Sequence, residues 1–328
     1  MNSFWAIVLD TWRQSRQQSV FTIMIVLLFI TAAVFVVVPQ VRPGDDGEPQ
    51  IGLMFKEGPA EFIAEFWTET YAQTLTMRDG SMGNPFSEEG RQQLMDESAA
   101  RVEAREAAAA IPPLQRAVEV LAYFAAMAIF SISMFFFVAA SASYFPDMLT
   151  AGAVDLVLAK PLSRGRIMMG KYIGGLALFS AAILITYLIV FVGLGIKTGI
   201  WHAKILQVIP LQIFCASILY ALLAYIGILR RSTALAMVLG LVFYLVVDSI
   251  LGGLITAQMM GMFKDLPTLD RSVEIVRMVL PNFDLLRSLS VLSVLNVPLL
   301  PFTPFLVGGA WMVLTLGLAY RKFSRTDY

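Results

Sequence analysis

The stretch Ile173–Ile196, IGGLALFSAAILITYLIVFVGLGI, runs for 24 residues without a charged side chain. A helix needs roughly 20 mainly apolar residues to cross the hydrocarbon core of a bilayer. The stretch therefore reads as a transmembrane helix. Five other runs meet the same requirement: Val20–Val38, Val118–Ala140, Ile205–Leu229, Thr233–Ala257 and Phe302–Tyr320. Pro210 falls inside the Ile205–Leu229 run, where a membrane helix tolerates a kink. Composition agrees with six spans. The chain is 58% hydrophobic and 15% charged, with mean hydropathy +0.72. A soluble domain is nearer half apolar and a quarter charged. Lipid must be part of this chain's solvent.

The first apolar run could be mistaken for a cleaved leader. It is about 19 residues long, beyond the usual 7–15, and ends in Val-Val-Val-Pro without a small-residue cleavage site. It is read as a retained helix.

The same counts exclude several classes. Net charge is zero, so no basic excess points to nucleic acid. Cys215 and His202 are the only residues of their types, which leaves no internal disulfide and no conventional zinc or copper cage. No cofactor or metal is expected. The phosphate-cradling sequence GxxxxGK[ST] is missing. If ATP drives this chain, the ATPase is another polypeptide. An intramembrane enzyme would need paired catalytic groups at one depth, and the isolated acids in the spans supply none.

Lys and Arg set the orientation, because bases concentrate in cytoplasmic loops. With the N-terminus inside, the inner pieces hold Arg13, Arg16, Lys160, Arg164, Arg166, Lys171, Arg230, Arg231, Arg321, Lys322 and Arg325, against Asp10, Asp147, Asp155 and Asp327. Six spans then place both termini in the cytoplasm of a cell with the chain in its inner membrane. The expected fold is all-α: a polytopic membrane protein with an N-terminal interfacial helix and a mainly helical extracytoplasmic insertion. The expected divisions are 1–17, 18–41, 42–116, 117–257, 258–301 and 302–328, with a cytoplasmic coupling segment at 142–170.

Within 1–17, Phe4, Trp5, Val8, Leu9 and Trp12 share one helical face, while Asp10, Arg13, Gln14 and Gln17 lie opposite. Such a helix suits the membrane interface, with tryptophans at headgroup depth. The 42–116 insertion contains a candidate strand at Gln50–Phe55. It also has an amphipathic helix over Pro59–Thr76, with Phe62, Ile63, Phe66, Trp67, Tyr71 and Leu75 at helical spacing. Ser87–Ala110 is rich in Ala, Glu and Arg and predicts another helix, ended by Pro112 and Pro113. In 258–301 the run Arg271–Leu280 looks helical. The apolar part that follows must be covered by protein if it dips into the outer leaflet.

Between the second and third spans lies FPDMLTAGAVDLVLAKPLSRGRIMMGKYIGG, residues 145–175. Pro146 suits a first helical position. Asp147 and Lys160 complement the helix dipole at opposite ends, and Pro161 stops the helix. The pattern predicts a helix over 146–160. Met148, Leu149, Gly152, Ala153, Leu156 and Val157 form one apolar face, and Val154 and Leu158 interrupt the other. A helix apolar nearly all round is buried on two sides. Its own bundle supplies one side, and the other asks for a partner.

These residues resemble the type-2 ABC exporter permeases. The likeness rests on AGAVDLVLAKPLSRGRIMMGKYIGG and is closest to the branch of gliding-motility and nitrous-oxide-reductase-maturation permeases. VLPNFDLL at 279–286 adds to it. The 42–116 insertion is larger than that branch usually carries. The resemblance implies a non-catalytic permease subunit in which two permease chains, the same or similar, pair with ABC ATPase subunits among membrane lipids. It also implies that 146–160 is the coupling helix, with Asp147, Gly152, Asp155, Leu156, Lys160, Pro161, Ser163 and Arg164 as its candidate contacts. The rival expectation is a non-transporting membrane scaffold, in which ATPase motion is transmitted to an extracytoplasmic partner.

Asp248 is a separate candidate. A carboxylate at mid-bilayer costs about 2.5–3.5 kcal/mol, so it marks a possible intramembrane polar site. If Gly252 and Gly253 end the helix early, Asp248 instead sits near the outer interface.

Overall fold

Ser19–Val37 (α1) is apolar on every side, yet only Phe21, Met24, Leu28 and Ala32 are buried. These recur at helical spacing and pack α1 on two later helices, Pro113–Ser141 (α3) and Arg164–Thr198 (α5). The rest of α1 is half-buried or exposed, with Val26, Ile30 and Val34 among the exposed residues. A helix that exposes apolar groups over most of its circumference belongs in lipid. The structure, a computed structural model, describes residues 11–14, 18–43, 49–53, 60–79, 99–107, 110–150, 163–259, 262–263, 266–295 and 303–325. Six helices among the described residues are long and apolar enough to cross a membrane: Ser19–Val37, Pro113–Met148, Arg164–Thr198, Ala203–Arg230, Thr233–Leu254 and Thr303–Arg325. The chain is an all-α polytopic membrane protein.

Val208–Arg230 (α6) is the hub. It packs on α3, α5, Tyr144–Met148 (α4), Thr233–Leu241 (α7), Phe283–Leu292 (α10) and Thr303–Arg325 (α11). Small residues permit this crowding. Cys215, Ala216, Ala221 and Ala224 are fully buried along it, as expected where membrane helices approach closely. Pro210 does not kink a continuous span. A 3₁₀ turn, Ala203–Gln207, precedes α6, so Pro210 falls in its first turn. There its missing N–H is no loss.

Side-chain caps fix three helix starts. Ser163 accepts from Arg166 N (3.4 Å), Ser232 from Leu235 N (3.3 Å) and Asn282 from Leu285 N (2.8 Å). Gly199, at φ 75°, closes α5 in the left-handed region where glycine is favoured.

The fifth span follows the expected run Thr233–Ala257 and does not take the alternative early end at Gly252. After α7 the backbone makes a π-helical turn over Val242–Val247, then continues as Asp248–Met259 (α8) through both glycines. Gly252 gives room for Asp284 instead, whose Oδ2 would lie 3.2 Å from a Cβ there.

At the end of the bundle where α1 finishes and α3 starts, Pro39–Pro43 (β1) and Pro49–Leu53 (β2) pair antiparallel, Val41 opposite Ile51. The partner strand was not legible in sequence. Ala60–Asp79 (α2) lies beside them and buries Ile63 and Trp67 against Ile51, Ala117, Val118, Val120 and Leu295. Phe62, counted on the apolar face, is 58% exposed. Residues 99–107 are helical, and the rest of the expected Ser87–Ala110 helix up to 98 lies outside the described residues. Pro267–Val279 (α9) packs on α8 through Val273, and α10 is covered by α3, α6 and α8.

Of the helix expected over 146–160, only residues 146–150 are described, and they differ from the expectation. The described helix, α4, starts earlier, at Tyr144, and closes at Met148. Leu149 N bonds Pro146 O (2.9 Å) and Thr150 N bonds Asp147 O (3.4 Å). These i→i+3 bonds tighten the last turn instead of propagating an α-helix. Residues 151–162 lie outside the described residues.

Candidate functional site

The root of the 149–163 connection is held by rings. Tyr144 and Phe145 of α4 lie 6.1 and 5.7 Å from the Tyr220 ring, measured between centroids. Tyr172 of α5 stacks on the same ring at 5.0 Å and 9°, and Phe137 of α3 meets it edge-on at 5.5 Å. Tyr220 is fully buried. Its hydroxyl donates to Lys171 O (3.3 Å), while the Tyr172 hydroxyl donates to Ser217 O (2.7 Å). Two glycines admit this packing. A Cβ at Gly175 would lie 2.6 Å from the Tyr220 hydroxyl, and one at Gly227 would lie 2.9 Å from Pro146 Cδ.

A polar layer lies beside the rings. Asp147 is exposed, but its carboxylate is engaged. Oδ2 accepts from Gln14 Nε2 (3.0 Å) and Oδ1 accepts a long bond from Thr233 Oγ1 (3.4 Å). Lys171, only 4% exposed, donates from Nζ to Gln14 Oε1 (2.5 Å). Gln18 Nε2 donates to Ser143 Oγ. Arg164 Nη1 donates to Phe323 O (3.2 Å) and Ser324 O (3.1 Å), which ties the start of α5 to the end of α11. Arg230, Arg231, Arg321, Lys322 and Arg325 lie at the helix ends on this same side of the bundle. It is the basic end.

Of the sequence-predicted contacts, Asp147, Ser163 and Arg164 are described. Asp147 faces Gln14 and Thr233, Ser163 caps α5, and Arg164 reaches α11. Gly152, Asp155, Leu156, Lys160 and Pro161 lie outside the described residues. Sequence reasoning missed Tyr220, Gly227 and Thr233, and took Lys171 only as an inner-loop base. Gln14 was legible as part of a polar helix face, but not as a ligand of Asp147.

Asp248 is 7% exposed, and its Oδ1 accepts from Phe283 N (2.7 Å). It satisfies an orphan donor at the start of α10, where a carboxylate also suits the helix dipole. A second buried polar group spans three helices. Tyr187 donates to Gln212 Oε1 (2.8 Å), and Gln212 Nε2 donates to Ser133 Oγ. All three residues are buried. Among the described residues, no three His, Cys, Asp or Glu side chains converge as a metal site would require.

Comparison with curated proteins gives no match. The family described as ABC-2 family transporter protein matches residues 5–328, nearly the whole chain. That family supplies the membrane component of ABC transporters, normally non-catalytic, and implies an ABC ATPase as partner. A chain of six apolar helices matched over almost its full length belongs to the ABC-2 transporter family, as a multi-pass permease.

Proposed function

We propose that this permease is an exporter driven from its basic end, where the connection between α4 and α5 receives the stroke of a separate ATPase. One observation carries the reading: the root of the connection is anchored on α6, α7 and the N-terminal segment at once, through Tyr220, Gly227, Thr233 and Gln14. A push on it reaches several spans together, as rigid-body coupling requires. Gly152, Asp155, Leu156, Lys160 and Pro161 are the proposed contacts beyond that root, with Ser163 and Arg164 at its far side. The positive-inside rule favours a cytoplasmic basic end, both termini in the cytoplasm of a bacterium and the insertion outside. A second permease chain completes the assembly. Membership of the gliding-motility and nitrous-oxide-reductase-maturation branch rests on the 151–175 motif.

The test is reversal of charge at Asp155 together with Gly152→Phe, in a complex purified with its ATPase. Loss of permease-dependent ATP turnover with membrane insertion intact is expected. Unchanged turnover counts against coupling through this segment.

A second reading has its own support. Trp67 Nε1 donates to Glu119 Oε2 (2.8 Å), both groups buried, so α2 is fastened to the second span. Movement of that span would be delivered to the insertion, as a non-transporting scaffold needs. Reconstituted vesicles that hydrolyse ATP and move no amphipathic cargo would favour it.

A further inference from the structure

Gln14 and Gln18, four residues apart, meet Asp147 and Ser143, also four residues apart, as two antiparallel rungs. Ser143 and Asp147 lie one helical turn apart, with Asp147 N donating to Ser143 O (2.9 Å). The upper rung has a third member. Gln14 offers its N–H₂ to the Asp147 carboxylate and its carbonyl oxygen to the Lys171 ammonium. A side-chain amide has a donor end and an acceptor end, so it fits between an anion and a cation in one orientation only. Lys171 is nearly out of water, where a cation requires compensating acceptors. On its other oxygen Asp147 holds Thr233, the first residue of α7.

We propose that Gln14 is a positioning residue for energy transmission. Its amide ties α4, α5 and the N-terminal segment together, and Asp147 extends the tie to α7. Displacement of the connection then moves these parts as one body. The role rests on the ATPase-coupling reading above. It gives Asp147 a different task from touching the ATPase: its carboxylate accepts from Gln14 and Thr233.

The test is an exchange of polarity in the full complex with the ATPase that co-purifies with it. Gln14→Glu sets two carboxylates against each other. Asp147→Asn, added to it, restores a donor to the new carboxylate and keeps an acceptor for Thr233. Gln14→Glu alone should lower permease-dependent kcat for ATP about tenfold, the scale of one lost charge-assisted hydrogen bond. The KM for ATP and the amount of bound ATPase should not change. The double variant should recover most of the rate. Full activity of Gln14→Glu overturns the tie, and so does a double variant that stays uncoupled, which would mean the ATPase itself needs the Asp147 charge. If the parent chain binds no ATPase, the coupling reading fails and this role with it. Should the single variant not accumulate, Gln14→Cys with Asp147→Cys in a Cys215→Ser background reports the contact directly. Cys215 is the only native thiol. Failure of a short bis-methanethiosulfonate reagent, which forms a disulfide with each thiol and releases methanesulfinate, to join the pair in membranes likewise overturns it.

Discussion

The carboxylate of Asp248 accepts the backbone N–H of Phe283 at 2.7 Å, across 35 residues of chain. The contact joins the fifth span to the start of α10 immediately after the π-helical turn. Asp248→Asn keeps an acceptor oxygen, while Asp248→Leu leaves a buried N–H without one. The Leu variant should lose about 1–3 kcal/mol, the cost of an unsatisfied buried donor, and Asn clearly less. Thermal unfolding in detergent reads the difference. Equal loss of transport in both variants, at unchanged stability, would instead assign the carboxylate to the transport path.

Trp67→Phe retains most of the ring that packs on Val118 but removes the indole N–H that faces Glu119. A hydrogen bond to a charged group is worth about 1.5–3 kcal/mol. The variant should loosen α2 from α3. Faster limited proteolysis within 42–116, with the spans still protected, is the expected outcome.

Gly227 separates two opposing terms. Replacing a helical glycine with alanine gains at most about 0.5–1 kcal/mol of backbone entropy, and Gly227 lies in the last turn of α6. Here the new methyl would meet the Pro146 ring at 2.9 Å. Overpacking of this kind costs about 1–3 kcal/mol, so the clash wins. Gly227→Ala should lower the melting temperature slightly and Gly227→Val markedly. Both should impair ATP turnover more than expression, since α4 is what must shift.

Gln212→Leu tests the three-helix polar group. The Tyr187 hydroxyl keeps a long bond to Ala126 O (3.4 Å), and Ser133 keeps Phe130 O (3.1 Å). With those fallbacks the loss should sit at the low end for hydrogen bonds between membrane helices, about 0.6–1 kcal/mol. A loss several times larger in chemical or thermal unfolding would show that Gln212 organises the bundle.

The spans were legible because crossing a bilayer is a one-dimensional demand. Apolar length alone satisfies it, and no contact has to be known. The connection after the second span was legible as a place, from Pro146 and the apolar residues behind it, but not as a continuous helix. Capping at Ser163, Ser232 and Asn282 is likewise local. It depends on residues three positions apart.

What the amino-acid order by itself determined is that this chain lives in lipid, with six helices and bases gathered at particular loops. The tertiary structure decided which polar groups meet: Gln14 with Asp147 across 133 residues, Trp67 with Glu119 across 52, Asp248 with the backbone N–H of Phe283 across 35. It also decided that α4 stops at Met148 and that the fifth span carries its irregularity before Asp248 and not at its glycines. The physical reason is one of range. Hydropathy and capping act along the chain over a few residues. A buried polar group is satisfied by whichever donor or acceptor the packing of distant helices brings within 3 Å or so, and no local periodicity encodes that.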